Sequence, residues 1–422
     1  MEAFKIKNGL SAKRYLGSTT TLSGSTIDLS LGSMFSTTLS SDPAYTFTNP
    51  PASGNAQAFS VEVTGGTTTF TQDSFATTLY TGNGGAQTIT NGLDLANDGG
   101  LIWTKIRDQS GGDHSLIDSA SSWTEDLVSN KTDAAATTSY LNFVDNSNGY
   151  SINTAAFRYN ENTREYVSWT FKKQAKFFDV VTYTGDGTVG RVIPHSLNCA
   201  VGTVIIKQTN SSRDWAVWHR SGGANPGGKL NLTAAFGYTW VSSTSTTSIT
   251  LENEGIEING NGQSYVAYIF AHDTASDSRI KCGSYSSTGL VNLGWKPQWL
   301  LIKSTTNTSD YTGDWRIFDN KRGVIAGDDN QLFANSNRAE DTATFASAVE
   351  FVNTGFNVES QGNYGTSTIY IAIRDDSATD SAITWPSSVK WPSGLAPTTP
   401  APGLKDLFTF LTTDGGTTYY GK

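Results

Sequence analysis

The chain has 422 residues and a formal net charge of −9, with only 16% charged residues but 11 Trp, 17 Tyr and 20 Phe. So many rings on so thinly charged a chain argue against disorder, and 422 residues should hold several domains. No basic stripe points to phosphate neutralisation, so nucleic acid is not an expected partner, and no apolar run reaches 18 residues, so no membrane-spanning helix is expected.

The start, MEAFKIKNGLSAKRYL, lacks the apolar core of a secretory signal peptide. Its Lys5, Lys7, Lys13 and Arg14 against Glu2 form the one local positive bias, read as a solvated strand face rather than a site for an acidic partner. Extended runs follow at AYTFTNPP (Ala44–Pro51) and AFSVEVTGG (Ala58–Gly66), with turn chemistry at Asn49-Pro50-Pro51 and Gly65-Gly66. We take residues 1–72 as the first part of a base β-domain.

From there a phrase recurs three times. A turn after an aromatic appears as YTGNGG from Tyr80, YTGDGT from Tyr183 and, degraded, YSSTG from Tyr285, at spacings of 103 and 102 residues. A buried strand ending in lysine follows at LIWTK (Lys105), VIIK (Lys207) and WLLIK (Lys303). Next come HSLID (His114–Asp118), WAVWH (Trp215–His219) and WRIFD (Trp315–Asp319). Each unit closes with GYSI, GIEI or GFNV, from Gly149, Gly255 and Gly355, and then YVSWTF, YVAYIF or YIAIR, from Tyr166, Tyr265 and Tyr370.

A period of roughly 100 residues is domain-sized, too long for a solenoid or propeller blade. Each copy is therefore expected to be a bead with its own core. The short β-branched runs between Gly, Asn, Asp, Ser and Thr clusters indicate strands. The resulting expectation is all-β: three tandem antiparallel β-sandwich repeats of jelly-roll or lectin-like type, at 73–174, 175–277 and 278–378, inserted into a small split β-domain. In the closing strand Tyr265, Ala267 and Ile269 alternate with Val266, Tyr268 and Phe270, so both faces are apolar and the strand should sit between two layers.

Residues 379–422 form the second part of the base, with SAITWPSSVKWPSG and the hairpin DLFTFLTTDGGTTYYG turning at Asp414-Gly415-Gly416. The piece is too short to bury a core alone, and the N-terminal piece is its expected partner. Together the segments Tyr45–Gly66 and Ile383–Gly421 resemble one small β-domain of tailed-bacteriophage virion structural proteins, of marine phage type. The beads resemble repeat modules of tail-fibre-like proteins, through YTGDG, the strand before Lys207 and GDWRIFD at Gly313–Asp319.

The beads separate the two base halves, which implies insertion near Thr71-Gln72-Asp73. The resemblance implies a virion location after synthesis in a host cytoplasm. It implies other virion proteins and a host-surface glycan as partners, and a homotrimer by analogy with fibres. The function it implies is a non-enzymatic tail fibre or tail-associated appendage that attaches by its base and presents sandwich modules for host recognition. A capsid decoration or head fibre protein and a virion polysaccharide depolymerase are the alternatives.

Several features imitate chemistry. Gly185-Asp186-Gly187-Thr188-Val189-Gly190 spells GxGxxG, but no helix pattern follows, so it reads as a turn and no cofactor is expected. His114, His195, His219 and His272 form no close pair and read as polar loop residues rather than metal ligands. Carboxylates at Glu252, Glu254 and Glu257, at Asp328-Asp329 and at Asp375-Asp376 fall in different landmarks and read as solvated acids, although a glycosidase would need such a pair to converge. Trp218, Trp240, Trp295 and Tyr311 sit near polar turns where a ring could stack on a sugar, whereas Trp215, Trp299 and Trp315, and by its landmark Trp218 too, belong to the core. Ser122–Glu125 could open a short helix through Leu127. Cys199 and Cys282 read as buried free thiols, and the sequons at Asn130, Asn210, Asn231 and Asn307 as chance. No catalytic, cofactor-binding or metal residue is assigned.

Overall fold

The computed structural model describes residues 19–22, 24–38, 44–64, 74–139, 141–142, 148–153, 155–252, 255–275, 277–309, 312–325, 328–341, 348–359, 367–375, 383–392, 394, 396–397 and 405–422. The protein is all-β, built of antiparallel sandwich-type sheets with a few short helical turns. It divides into two compact units, Met1–Thr68 with Ser377–Lys422, and Thr69–Asp376. The expected insertion point at Thr71-Gln72-Asp73 and the N-terminal basic residues lie outside the described residues.

In the first unit the strand Gln57–Thr64 alternates, turning Phe59, Val61 and Val63 inward. It pairs antiparallel with Lys405–Thr412 along its whole length, from Lys405↔Thr64 to Thr412↔Gln57. Phe408 and Phe410 of that strand enter the same core, where Phe59 and Phe410 stack at 5.0 Å and Phe47 and Trp385 close around them. The two chain ends are thus neighbours in one six-stranded sheet. That sheet is mixed: Met34–Thr38 runs parallel to Gln57–Thr64, and Val389–Lys390 parallel to Tyr419–Gly421.

In the second unit each copy has a large sheet facing a three-stranded one. The large sheet of copy 1 runs Phe75–Thr81, Glu165–Lys172, Gly100–Ile106, Ser115–Asp118, Glu125–Leu127, Ala136–Thr137. In copy 2 the order is Phe178–Thr184, Ser264–Ala271, Val201–Gln208, Trp215–His219, Gly227–Lys229, and in copy 3 Ile280–Tyr285, Thr368–Arg374, Pro297–Ser304, Arg316–Asp319, Leu332–Phe333.

Register corrects two landmarks. Lys105, Lys207 and Lys303 pair with Val167, Val266 and Ile369, so the equivalent of Tyr166 and Tyr265 in copy 3 is Thr368, not Tyr370. The central strand of the small sheet is Gly149–Ile152 in copy 1 and Gly355–Val358 in copy 3, but Ser248–Leu251 in copy 2. The GIEI motif there is instead a 3-10 turn, Gly255–Glu257. The expected helix after Ser122 is absent too: Ser122 is left-handed (φ 56°) and Glu125–Leu127 is a strand.

The large sheets have two apolar faces. One packs on the copy's own small sheet, through Ile102, Ile106 and Tyr166 in copy 1 and Leu300, Ile302 and Phe318 in copy 3. The other joins one cluster drawn from all three copies, including Trp103, Trp169 and Phe171, Ile205, Tyr268 and Phe270, and Trp299, Leu301 and Ile371. Phe171 meets Phe270 at 5.5 Å and Trp299 at 5.6 Å, one ring from each copy. The expectation of separate beads with separate cores is therefore incomplete. Each copy has a sandwich core and also shares a central one.

Equivalent residues lock the three junctions in a cycle. Trp215 Nε1 donates to Val128 O of copy 1 (2.9 Å), Trp315 Nε1 to Lys229 O of copy 2 (2.8 Å), and His114 Nε2, at the same register position, to Phe333 O of copy 3 (2.9 Å). The residue two beyond each buried lysine accepts a backbone bond from its neighbour: Thr209 from Ala135, Thr305 from Phe236, Arg107 from Glu340. Such a pattern closes a pseudo-threefold ring.

Within each copy a side-chain clamp sets the lock. Asn130, Asn231 and Asn335 accept from the backbone N–H of His114, Trp215 and Trp315, and donate to Asp113, Asp214 and Asp314. Two of the sequon asparagines are thus structural.

Lys105, Lys207 and Lys303 are buried on the axial faces, each donating to the next residue's carbonyl. Burial pushes all three ammonium groups down to about 8. Because the copies share a core, Thr69–Asp376 is expected to unfold in one calorimetric transition. Phe171→Ala should lower its stability by about 3–5 kcal/mol while leaving that transition single.

Candidate functional site

The glycine hexad is a turn between strands. Gly185 follows Phe178–Thr184, and the next element is the strand Val192–Pro194, so no helix N-terminus faces it. A Cβ on Gly185 would lie 2.1 Å from Gly260 O, and Gly187 has φ +69°. Asn259 pins the turn, accepting from Asp186 N (3.1 Å) and donating to Thr188 O (2.9 Å). In copy 1 Asn160 holds Asn83 N and Gly85 O in the same way.

The histidines correct the loop reading. His114 and His219 are fully buried at the copy junctions. Trp103 Nε1 donates to His114 Nδ1 (2.9 Å). His219 Nδ1 accepts from Ser221 N (3.1 Å), and its Nε2 donates to Tyr370 O (3.0 Å). Burial lowers both imidazoles, His219 to about 3. His195 is also buried and His272 half-buried. Among the described residues, no group of three or more His, Cys, Asp or Glu could hold a metal ion.

Of the proposed stacking rings, Trp240 and Trp295 are buried and Trp218 is half-buried against the shared core. Tyr311 lies outside the described residues, as do Glu254 and Asp376. Asp375 is buried and accepts from Asn320 Nδ2 (3.0 Å), while Glu257 sits on the 3-10 turn of copy 2. Cys282 is buried and Cys199 half-buried, and both are free thiols.

Two clefts remain. The first, of about 480 Å³, lies at the junction of copies 1 and 2, where Asp118, Glu125 and Leu127 face Thr182, Tyr183, Thr209 and Ser264. Asp118 is 1% exposed and accepts from Tyr268 OH (2.7 Å) and Ser121 N (2.9 Å). Burial raises Asp118; Glu125 is raised by burial and then by Asp118. The same register position in copy 3, Asp319, accepts from Trp169 Nε1 of copy 1 (2.9 Å), and in copy 2 it is His219. Asp118 is therefore a packing latch first. At the junction of copies 3 and 1 the place of Thr209 is taken by Arg107, ion-paired to Glu340 (2.8 Å), which also pairs with Arg322 (2.9 Å).

The second cleft, of about 360 Å³, lies wholly in copy 1. Its walls are small, with Ala134, Ala136, Ala155 and Ala156, and its edge is the ring of Phe157, 38% exposed. Phe157 is placed by its own backbone: Tyr166 OH donates to Phe157 O (2.8 Å) while accepting from Glu161 N (2.9 Å). Asp126, 2% exposed, accepts from Ser115 Oγ (2.5 Å) and pairs with Arg158 (3.0 Å); burial raises its carboxyl despite that guanidinium. Lys131 pairs with Asp113 (2.5 Å). Nothing in the sequence marked this cleft. Phe157 stands alone in a polar loop, and its neighbours come from three separated segments.

Residues 71–376 match a family described as a domain of unknown function (DUF7483), and the chain belongs to that family. The matched span is the second compact unit almost to the residue. No curated protein matches the chain. No helix among the described residues is long and apolar enough to cross a membrane.

His219 supplies a pH signature. Its folded-state value of about 3 lies below the ordinary 6.5. Its stabilisation is thus complete above pH about 6.5 and is lost as pH falls toward 3, because the unfolded chain then binds the extra proton. Denaturation midpoints measured from pH 7 down to 4 should fall less steeply in His219→Gln than in the natural protein.

Proposed function

We propose that the chain is a non-enzymatic virion structural protein of a tailed bacteriophage, a tail fibre or tail-associated appendage. The base unit attaches to a neighbouring virion protein and the three-copy unit serves host-surface glycan recognition. The observation that supports this reading is the two-unit build of the chain: both ends form one compact unit, and a second one occupies the sequence between them. An attachment module and a presentation module can then vary separately. The phage resemblance of Tyr45–Gly66 and Ile383–Gly421 supports the virion setting. A homotrimer of this chain would use surfaces other than the axial sheet faces, which the copies already bury against one another.

A depolymerase is the second reading, favoured by Asp118 and Glu125 lining one cleft. The latch role of Asp118 weighs against it, since an acid held by Tyr268 and Ser121 is committed to packing. Polysaccharide cleavage by the full chain that is lost in Glu125→Gln would overturn the non-enzymatic reading.

Gold-labelled antibody against the three-copy unit, viewed on intact particles by electron microscopy, tests the proposal. Label at the tail or its fibres is expected. Label over the head would replace it with a decoration role, and unlabelled particles would remove the virion reading.

A further inference from the structure

We propose that the cleft beside Phe157 in copy 1 is a binding site for a neutral saccharide. This deepens the recognition reading and rests on it. About 360 Å³ lies at the small end of ligand pockets, roughly 300–1,000 Å³, which suits one or two sugar rings.

The chemistry of the walls fits that size. Phe157 offers an exposed ring whose backbone is fixed by Tyr166, so a platform is held in place before any ligand arrives. Beside it stand the Arg158 guanidinium, held 3.0 Å from the buried Asp126 carboxylate, and the exposed Asp133 carboxylate, a donor and an acceptor for sugar hydroxyls. Alanine walls let a flat ring approach closely.

Charge selects among sugars. The cleft holds Asp113, Asp126 and Asp133 against Lys131 and Arg158, and each of those cations is already ion-paired to an aspartate. No uncompensated cation is left for a carboxylated or sulfated sugar. Asp113 and Asp126 are taken up by those pairs, which leaves Asp133 as a single further carboxylate rather than a cluster that would require an amine.

The pseudo-threefold repeat provides a control within the molecule. Tyr265 OH donates to Ile256 O and accepts from Gly260 N, as Tyr166 does with Phe157 and Glu161. Ile256 is therefore the equivalent of Phe157, similarly exposed at 42% but without a ring.

The test uses the full chain with glucose, galactose, mannose and N-acetylglucosamine, and glucuronate and glucosamine as charged counterparts. Binding is read by saturation-transfer NMR and calorimetry. A neutral sugar should bind in the natural protein, and Phe157→Ala should weaken it about tenfold or more. Phe157→Trp should retain binding, and Ile256→Ala should not alter it. The site is overturned if no sugar binds, if Phe157→Ala binds as well as the natural chain, or if a charged sugar is preferred. Tail labelling of particles combined with any of those results would remove this site while leaving the appendage reading in place.

Discussion

A β-sheet with two apolar faces must cover both, and the rest of the second unit follows from that constraint. In each copy the three-stranded sheet covers one face. The other, carrying Trp103 and Trp169, Ile205 and Tyr268, or Leu301 and Ile371, is covered by its counterparts in the other two copies. Two copies would leave part of each axial face wet, whereas three close the cycle. Fully burying a side chain of this size contributes about 1.5–3 kcal/mol, and each copy places several such side chains in the shared core.

The polar groups at the junctions answer to that burial. Every copy places a donor at the His114, Trp215 or Trp315 position and aims it at a carbonyl of the preceding copy in the cycle, because a backbone carbonyl left dry is costly. Lys207 and Lys303 also reach across, with their ammonium groups donating to Thr132 O and Thr233 O. Where the copies differ, the junctions differ: a histidine replaces aspartate at position 219, and an Arg107–Glu340–Arg322 network fills one junction while a cleft opens at another. Repeated residues make the common contacts of the ring, and unrepeated ones set how each junction and each copy's surface differs, the Phe157 cleft among them.

Much of this was legible in the sequence. The β-branched runs and their turn residues gave the strands, the pairing of Lys405–Thr412 with Gln57–Thr64 joins the ends that patterning had joined, and the alternation of Tyr265 to Phe270 announced a two-faced strand. What such patterns do not carry is which surface covers the second face. The buried lysine recurring in each copy was a signal of it, since an ammonium at the end of an apolar strand needs nearby carbonyls. Landmarks matched by letter also slipped: Tyr370 stands two residues beyond its apparent equivalent, and GIEI mimics a strand that Ser248–Leu251 supplies. His114 and His219 looked polar in isolation, yet their register places them inside junctions.

The ring should behave as one cooperative body, and hydrogen exchange at the indole N–H groups of Trp169, Trp215 and Trp315 tests that most directly. Each of these protons crosses a different junction. The ring predicts strong protection of all three with one common opening free energy, that of global unfolding. Exchange of one indole well ahead of the others would show a copy opening on its own, and would contradict a shared core.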